Sequence, residues 1–139
     1  MTTTDTLLSV VDYWTWPDRF SLVNEWWQAH GLQGTFQEGA LPQLALIVCE
    51  DGIPVAFMAA DMSNSIGKAT IESALTAPGR SPAESRRALQ FAERAIFSVL
   101  KDNQYGLCTT FTSKAIARTL VQNGWKMVGE CVHLMKIIQ

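Results

Sequence analysis

The periodicity of apolar positions is clearest between residues 66 and 100. Residues 68–76 (KATIESALT) read as a strand and lead into a Pro/Gly turn. Beyond Ser81 the apolar residues Ala88, Leu89, Phe91, Ala92, Ala95, Ile96, Val99 and Leu100 recur every three or four positions, the spacing that lines one face of an α-helix. The start of that helix is well marked. Ser81 can cap the free backbone N–H groups, Pro82 suits the first helical position, and Glu84 completes a Ser-x-x-Glu capping box.

Upstream, residues 7–11 (LLSVV) have the apolar and β-branched content of a short strand. A connector at Trp14 to Trp16 follows. A helix is predicted over residues 17–30, with Phe20, Leu22, Val23, Trp26 and Trp27 on its buried side and Gly31 ending it. Residues 32–42 shift to Gly, Gln and Pro without sustained periodicity, as a loop or short weak helix does. Two apolar runs, residues 43–49 and 53–62, flank Asp51-Gly52, and an Asp-Gly pair between β-rich runs signals a two-residue hairpin. Residues 105–111 read as a strand and 113–122 as a helix closed at Asn123-Gly124. Residues 125–138 read as two short strands, or one bulged strand, around Gly129. The order predicts a single α/β domain over residues 1–139: a mixed, mostly antiparallel sheet of six to seven strands with helices on both faces.

At 139 residues the chain can bury a sizeable core without staples. A formal net charge of −2 argues against a nucleic-acid or anionic-membrane surface. The apolar runs break well before the roughly 20 residues of a membrane span, and the polar start MTTTDT is unlike a secretory signal, so a cytoplasmic location is expected. Cys49, Cys108 and Cys131 are odd in number and widely spaced, which suits core thiols better than disulfides or a zinc knuckle. His30 and His133 are far apart, and His133 alternates with Cys131 and Met135 like a packed strand residue. There is no nucleophile turn with Ser/His/Asp spacing and no Gly-x-x-x-x-Gly-Lys loop, which removes the hydrolase and nucleotide triphosphatase classes. Trp14, Trp16, Trp26 and Trp27 cluster; they serve either as core or, at Trp26 and Trp27, as a contact surface for a partner.

Three phrases together resemble the GNAT superfamily of acyl-CoA-dependent N-acyltransferases. CEDGIPVAFMAA (residues 49–60) is similar to the family's second and third strands, and IESALTAPGRSPAESRRAL (71–89) to its fourth strand and third helix. SKAIARTLVQNGWKMVGECVHLMK (113–136) resembles its fourth helix, the Gly-aromatic step at Gly124-Trp125, and its last strands. The resemblance implies transfer of an acetyl group from acetyl-CoA to an amine. It also implies a Gln/Arg-x-x-Gly-x-Gly/Ala turn whose N–H groups hold the cofactor pyrophosphate. The chain departs from that turn. With Ala77-Pro78 aligned, the Arg and three Gly positions fall on Ser81, Pro82, Glu84 and Arg86. Pro82 has no N–H, and Glu84 brings a negative charge.

A variant cradle would use Gly79, Arg80 and Ser81, with Arg80, Arg86 or Arg87 supplying charge. Leu75, Thr76 and Ala77 would offer backbone groups to a pantetheine arm, and residues 108–110 would line the other wall. Glu72 is the general base that the resemblance implies. Leu120 stands where many members carry a Tyr acid, which leaves Tyr105 as the other candidate. Two functions follow: an N-acetyltransferase acting on an amine-bearing small molecule or protein, or a catalytically inactive GNAT-like protein that works by protein–protein interaction, such as a phage or bacterial regulatory binder. An exposed last strand would also allow a homodimer.

Overall fold

A hairpin with both central residues at positive φ sits at the centre of the sheet. In the computed structural model, which describes residues 7–32, 34–62, 67–112, 114–130 and 136, strands β2 (Leu44–Glu50) and β3 (Ile53–Asp61) are antiparallel and paired up to Glu50↔Ile53. Between them Asp51 has φ 51° and Gly52 φ 82°, the primed turn whose twist matches that of the strands. The Asp51 backbone N–H donates to the Leu7 carbonyl at 2.9 Å, and its carboxylate accepts the Leu7 N–H at 3.1 Å. The turn thus fastens the beginning of β1 (Leu8–Asp12), which pairs antiparallel with β2. No atom lies within 4 Å of a Cβ built at Gly52, so Gly52→Ala is purely a conformational change. It should cost about 1–2 kcal/mol in urea denaturation, and Gly52→Asn, which tolerates this region, should recover most of that.

β4 (Lys68–Thr76) pairs antiparallel with β3. β5 (Leu107–Thr110) completes the order β1-β2-β3-β4-β5. The N–H groups of Gly106 and Leu107 donate to the Gly67 carbonyl at 3.0 and 3.1 Å, and further along the Thr109 and Thr70 hydroxyls meet at 3.1 Å. Both strands therefore ascend together, and the sheet is mixed. The two strands are joined through α2 (Pro82–Asp102).

Each face of the sheet has its own cover. Ala45, Ile47, Cys49, Phe57, Ala59 and Leu75 share one face and form a core with Tyr13 and with Val23 and Trp26 of α1 (Arg19–Ala29). The alternate residues Val48, Ala56, Met58 and Ala60 are buried on the other face. There α2 packs, with Ala88, Ala92, Ile96 and Leu100 buried as an unbroken i, i+4 stripe. No helix among the described residues is long and apolar enough to cross a membrane.

The structure divides into two units, Met1–Thr109 and Thr110–Gln139. The second holds α3 (Lys114–Gln122). Its end is a Schellman cap: Gly124 (φ 97°) donates to Val121 O at 3.2 Å, and Trp125 to Leu120 O at 3.0 Å.

Two expectations are corrected. α1 begins at Arg19 instead of residue 17, because Asp18 is left-handed at φ 55° and cannot lie within the helix. The described residues form five strands, not six to seven. Residues 125–130 form no strand, and Val128 is 90% exposed; a strand packs a buried face against the core, whereas residues 126–130 are all exposed. The remainder of the expected last strands, at 131–135 and 137–138, lies outside the described residues.

Candidate functional site

The register of β4 breaks at Glu72. Ala59 faces Ser73 and Ala60 faces Ile71, so Glu72 is the extra residue of a β-bulge. A bulge re-aims the side chains beside it, and here Glu72 and Ser73, neighbours in sequence, both line one cavity of about 180 Å³. Trp27 and Phe36 supply its aromatic surface, and Gln37, Ala40, Leu41 and Pro42 complete it.

The loop that forms this wall is held from below. Glu38, in a 3-10 turn at Glu38–Ala40, accepts a 2.6 Å hydrogen bond from the Tyr13 hydroxyl and pairs with Arg19 Nε at 3.3 Å. Tyr13 is fully buried. Burial, reinforced by the Glu38 carboxylate, pushes its ionisation far above the usual tyrosine range, so it stays a neutral donor. The Arg19 guanidinium lies 5.3 Å from the Trp14 ring centre and 5.8 Å from that of Tyr13. Nearer the cavity, the Phe36 N–H donates to Asn24 Oδ1 at 3.0 Å. These bonds tie the loop to α1 and to the end of β1.

The residues expected to hold acetyl-CoA are engaged within the chain. The Thr76 carbonyl accepts from His30 Nε2 at 2.8 Å, so that nitrogen carries a proton. The Ala77 N–H donates to Val55 O at 2.9 Å, and Leu75 is a core residue. Gly79 turns the chain at φ 81°. Beyond it, Arg80 pairs through Nη2 with Glu50 Oε2 and, at 3.4 Å, with Glu84 Oε2; Arg87 Nη2 reaches the other Glu50 oxygen at 3.2 Å. Arg80 Nε is buried without a hydrogen-bond partner among the described residues.

The capping box is complete. Ser81 Oγ accepts the Glu84 N–H at 3.2 Å, and Glu84 Oε1 accepts the Ser81 N–H at 3.3 Å. The Ser81 hydrogen bonds, aided by Arg80, hold the Glu84 carboxyl below its ordinary range. A diphosphate needs these N–H groups and guanidinium groups, and the carboxylates already hold them. This end of α2 therefore does not fit the cofactor's diphosphate as the family motif would.

Other candidates fall elsewhere. Trp26 is 4% exposed and part of the core, so it offers no surface to a partner; Trp27, one position on, is turned into the cavity instead. Tyr105 follows the end of α2, where its N–H caps the Leu100 carbonyl at 2.9 Å, away from the cavity lining. Cys108 is half-buried on β5, and burial pushes its thiol up to about 11, which keeps it protonated at neutral pH. Leu120 lies on α3 in the second unit. No group of three His, Cys, Asp or Glu side chains that could hold a metal ion occurs among the described residues. Sequence reasoning missed Glu50 and His30, whose partners are 30 and 46 positions away.

The sequence matches no family model and no curated protein. Solved structures do match. An aminoglycoside acetyltransferase from an uncultured soil metagenomic sample, solved with sisomicin, is 7% identical at a TM-score of 0.68, covering 96% of this chain and 97% of its own. An acetyltransferase of the GNAT family from Streptococcus pneumoniae is 8% identical at 0.60, covering 96% and 98%. An aminoglycoside N-acetyltransferase solved with CoA is 14% identical at 0.57, covering 98% and 99%. At these identities the likeness establishes the fold: the chain has the fold of the GNAT acetyltransferases, in divergent form.

Proposed function

We propose that the chain acts on an amine, which the cavity beside Glu72 receives as the acceptor of an acyl group. The observation that carries this reading is the bulge, which sets a carboxylate on the wall of a cavity otherwise rich in Trp27, Phe36, Leu41 and Pro42. A carboxylate beside aromatic faces suits an ammonium group, by charge and by cation–π attraction. Glu72 then takes the ammonium proton, directly or through one water, and leaves a nitrogen lone pair free to attack an acyl carbon. The size of the cavity favours a small acceptor: 180 Å³ equals the liquid volume of about six waters, enough for one ring or a short chain bearing an amine. The aminoglycoside acetyltransferases among the structures of like fold support an amine substrate.

Acetyl-CoA is the donor that the fold implies and would supply the activated acetyl group. Because the start of α2 does not fit its diphosphate, the reading rests on the acceptor side. That same mismatch favours a second reading, a GNAT-like protein that binds an amine-bearing small molecule or protein segment without transferring anything to it. Either form would work in the cytoplasm, away from nucleic acid and membrane.

Calorimetric titration with benzylamine and benzyl alcohol tests the acceptor site. The amine should bind at least tenfold more tightly, and equal affinities would overturn the proposal. Release of free thiol from an acetyl thioester in the presence of the amine separates transfer from binding alone.

A further inference from the structure

We propose that Glu50 and Glu84 substitute internally for a bound diphosphate, so that any acyl donor is recognised without its nucleotide diphosphate. This rests on the acyltransferase reading only for the identity of the donor. Glu50, at the end of β2, takes both Arg80 and Arg87. Glu84, in the first turn of α2, takes the Ser81 N–H and a second contact from Arg80. The Arg80 and Glu50 side chains are only 16% and 14% exposed, so the pair is shielded from water and weakly screened.

Two carboxylates and two guanidinium groups make a neutral cluster. A diphosphate entering here must remove Glu84 from the Ser81 N–H, compete with Glu50 for Arg80, and bring its own negative charges against both carboxylates. The first helical residue, Pro82, has no N–H to offer in exchange. A donor can still lie along β4, and its affinity then comes from its acyl and pantetheine parts.

The test is calorimetry on the full chain with acetyl-CoA, S-acetylpantetheine, which carries no phosphate, and inorganic pyrophosphate. The two thioesters should bind within about threefold of each other, and pyrophosphate should give no heat. Acetyl-CoA binding more than tenfold tighter than S-acetylpantetheine, with the advantage lost in Arg80→Gln, would overturn the proposal. If neither thioester nor pyrophosphate binds, the substitution stands and the transferase reading falls.

Removing the carboxylates supplies the converse. Glu50→Gln with Glu84→Gln should raise acetyl-CoA affinity at least tenfold and leave S-acetylpantetheine unchanged. Glu84→Gln alone, at a side chain 53% exposed, gives the same comparison if the double variant does not fold. Unchanged acetyl-CoA affinity in a folded variant assigns the carboxylates no such role.

Discussion

Glu72→Gln is expected to slow acyl transfer to the amine by about 100- to 10,000-fold, the range that a positioned proton acceptor contributes. The amide keeps the shape of the side chain but can neither take the proton nor attract the ammonium. Glu72 is exposed and is the unpaired residue of the bulge, so stability should change by no more than about 0.5 kcal/mol. Initial rates, read beside thermal melts, separate these effects. Ser73→Ala, on the same cavity wall without a charge, should change the rate far less. A Glu72→Gln protein with an unaltered rate would remove this residue from the chemistry.

The largest loss of stability is expected from Phe57→Ala. Phe57 is fully buried in β3, in register with Ile47 on one side and Leu75 on the other. Its ring meets Tyr13 edge-on at 5.2 Å and Phe36 at 5.8 Å. Truncation opens a cavity under both rings and should cost about 3–5 kcal/mol, lowering the melting temperature by roughly 10–20 °C. Because Phe36 also lines the cavity proposed to receive the amine, amine affinity should fall as well. Phe57→Leu, closer in volume, should cost less than half as much. A truncation costing under about 1 kcal/mol would mean that this core can collapse around the void.

What could be read from the sequence was what neighbouring residues decide among themselves. Asp51-Gly52 specifies its turn, and Ser81, Pro82 and Glu84 specify a cap that forms as expected. β4 carries its expected bounds, Lys68–Thr76, where Ala69, Ile71 and Leu75 are buried among more exposed neighbours. The features that shape the site depend on distant partners. The bulge at Glu72 exists only in the pairing of β4 with β3, and simple alternation would have set Glu72 and Ser73 on opposite faces. The adjacent Trp26 and Trp27 look alike in sequence, yet one fills the core and the other lines the cavity, since consecutive helical side chains diverge by about 100°. Arg80 reads as a phosphate ligand until Glu50 is brought beside it from across the fold.

The Asp51-Gly52 turn also bears on how fast the chain folds. Its closing pair, Glu50 and Ile53, is three positions apart, whereas Leu8 must find Glu50 across forty-two. Closing the short loop costs far less chain entropy than closing the long one, so the β2–β3 hairpin can form early and await β1. Asp51, with its bonds to Leu7, then provides the first anchorage for the arriving strand. The penalty of Gly52→Ala should accordingly appear mainly as slower refolding, with the unfolding rate little altered.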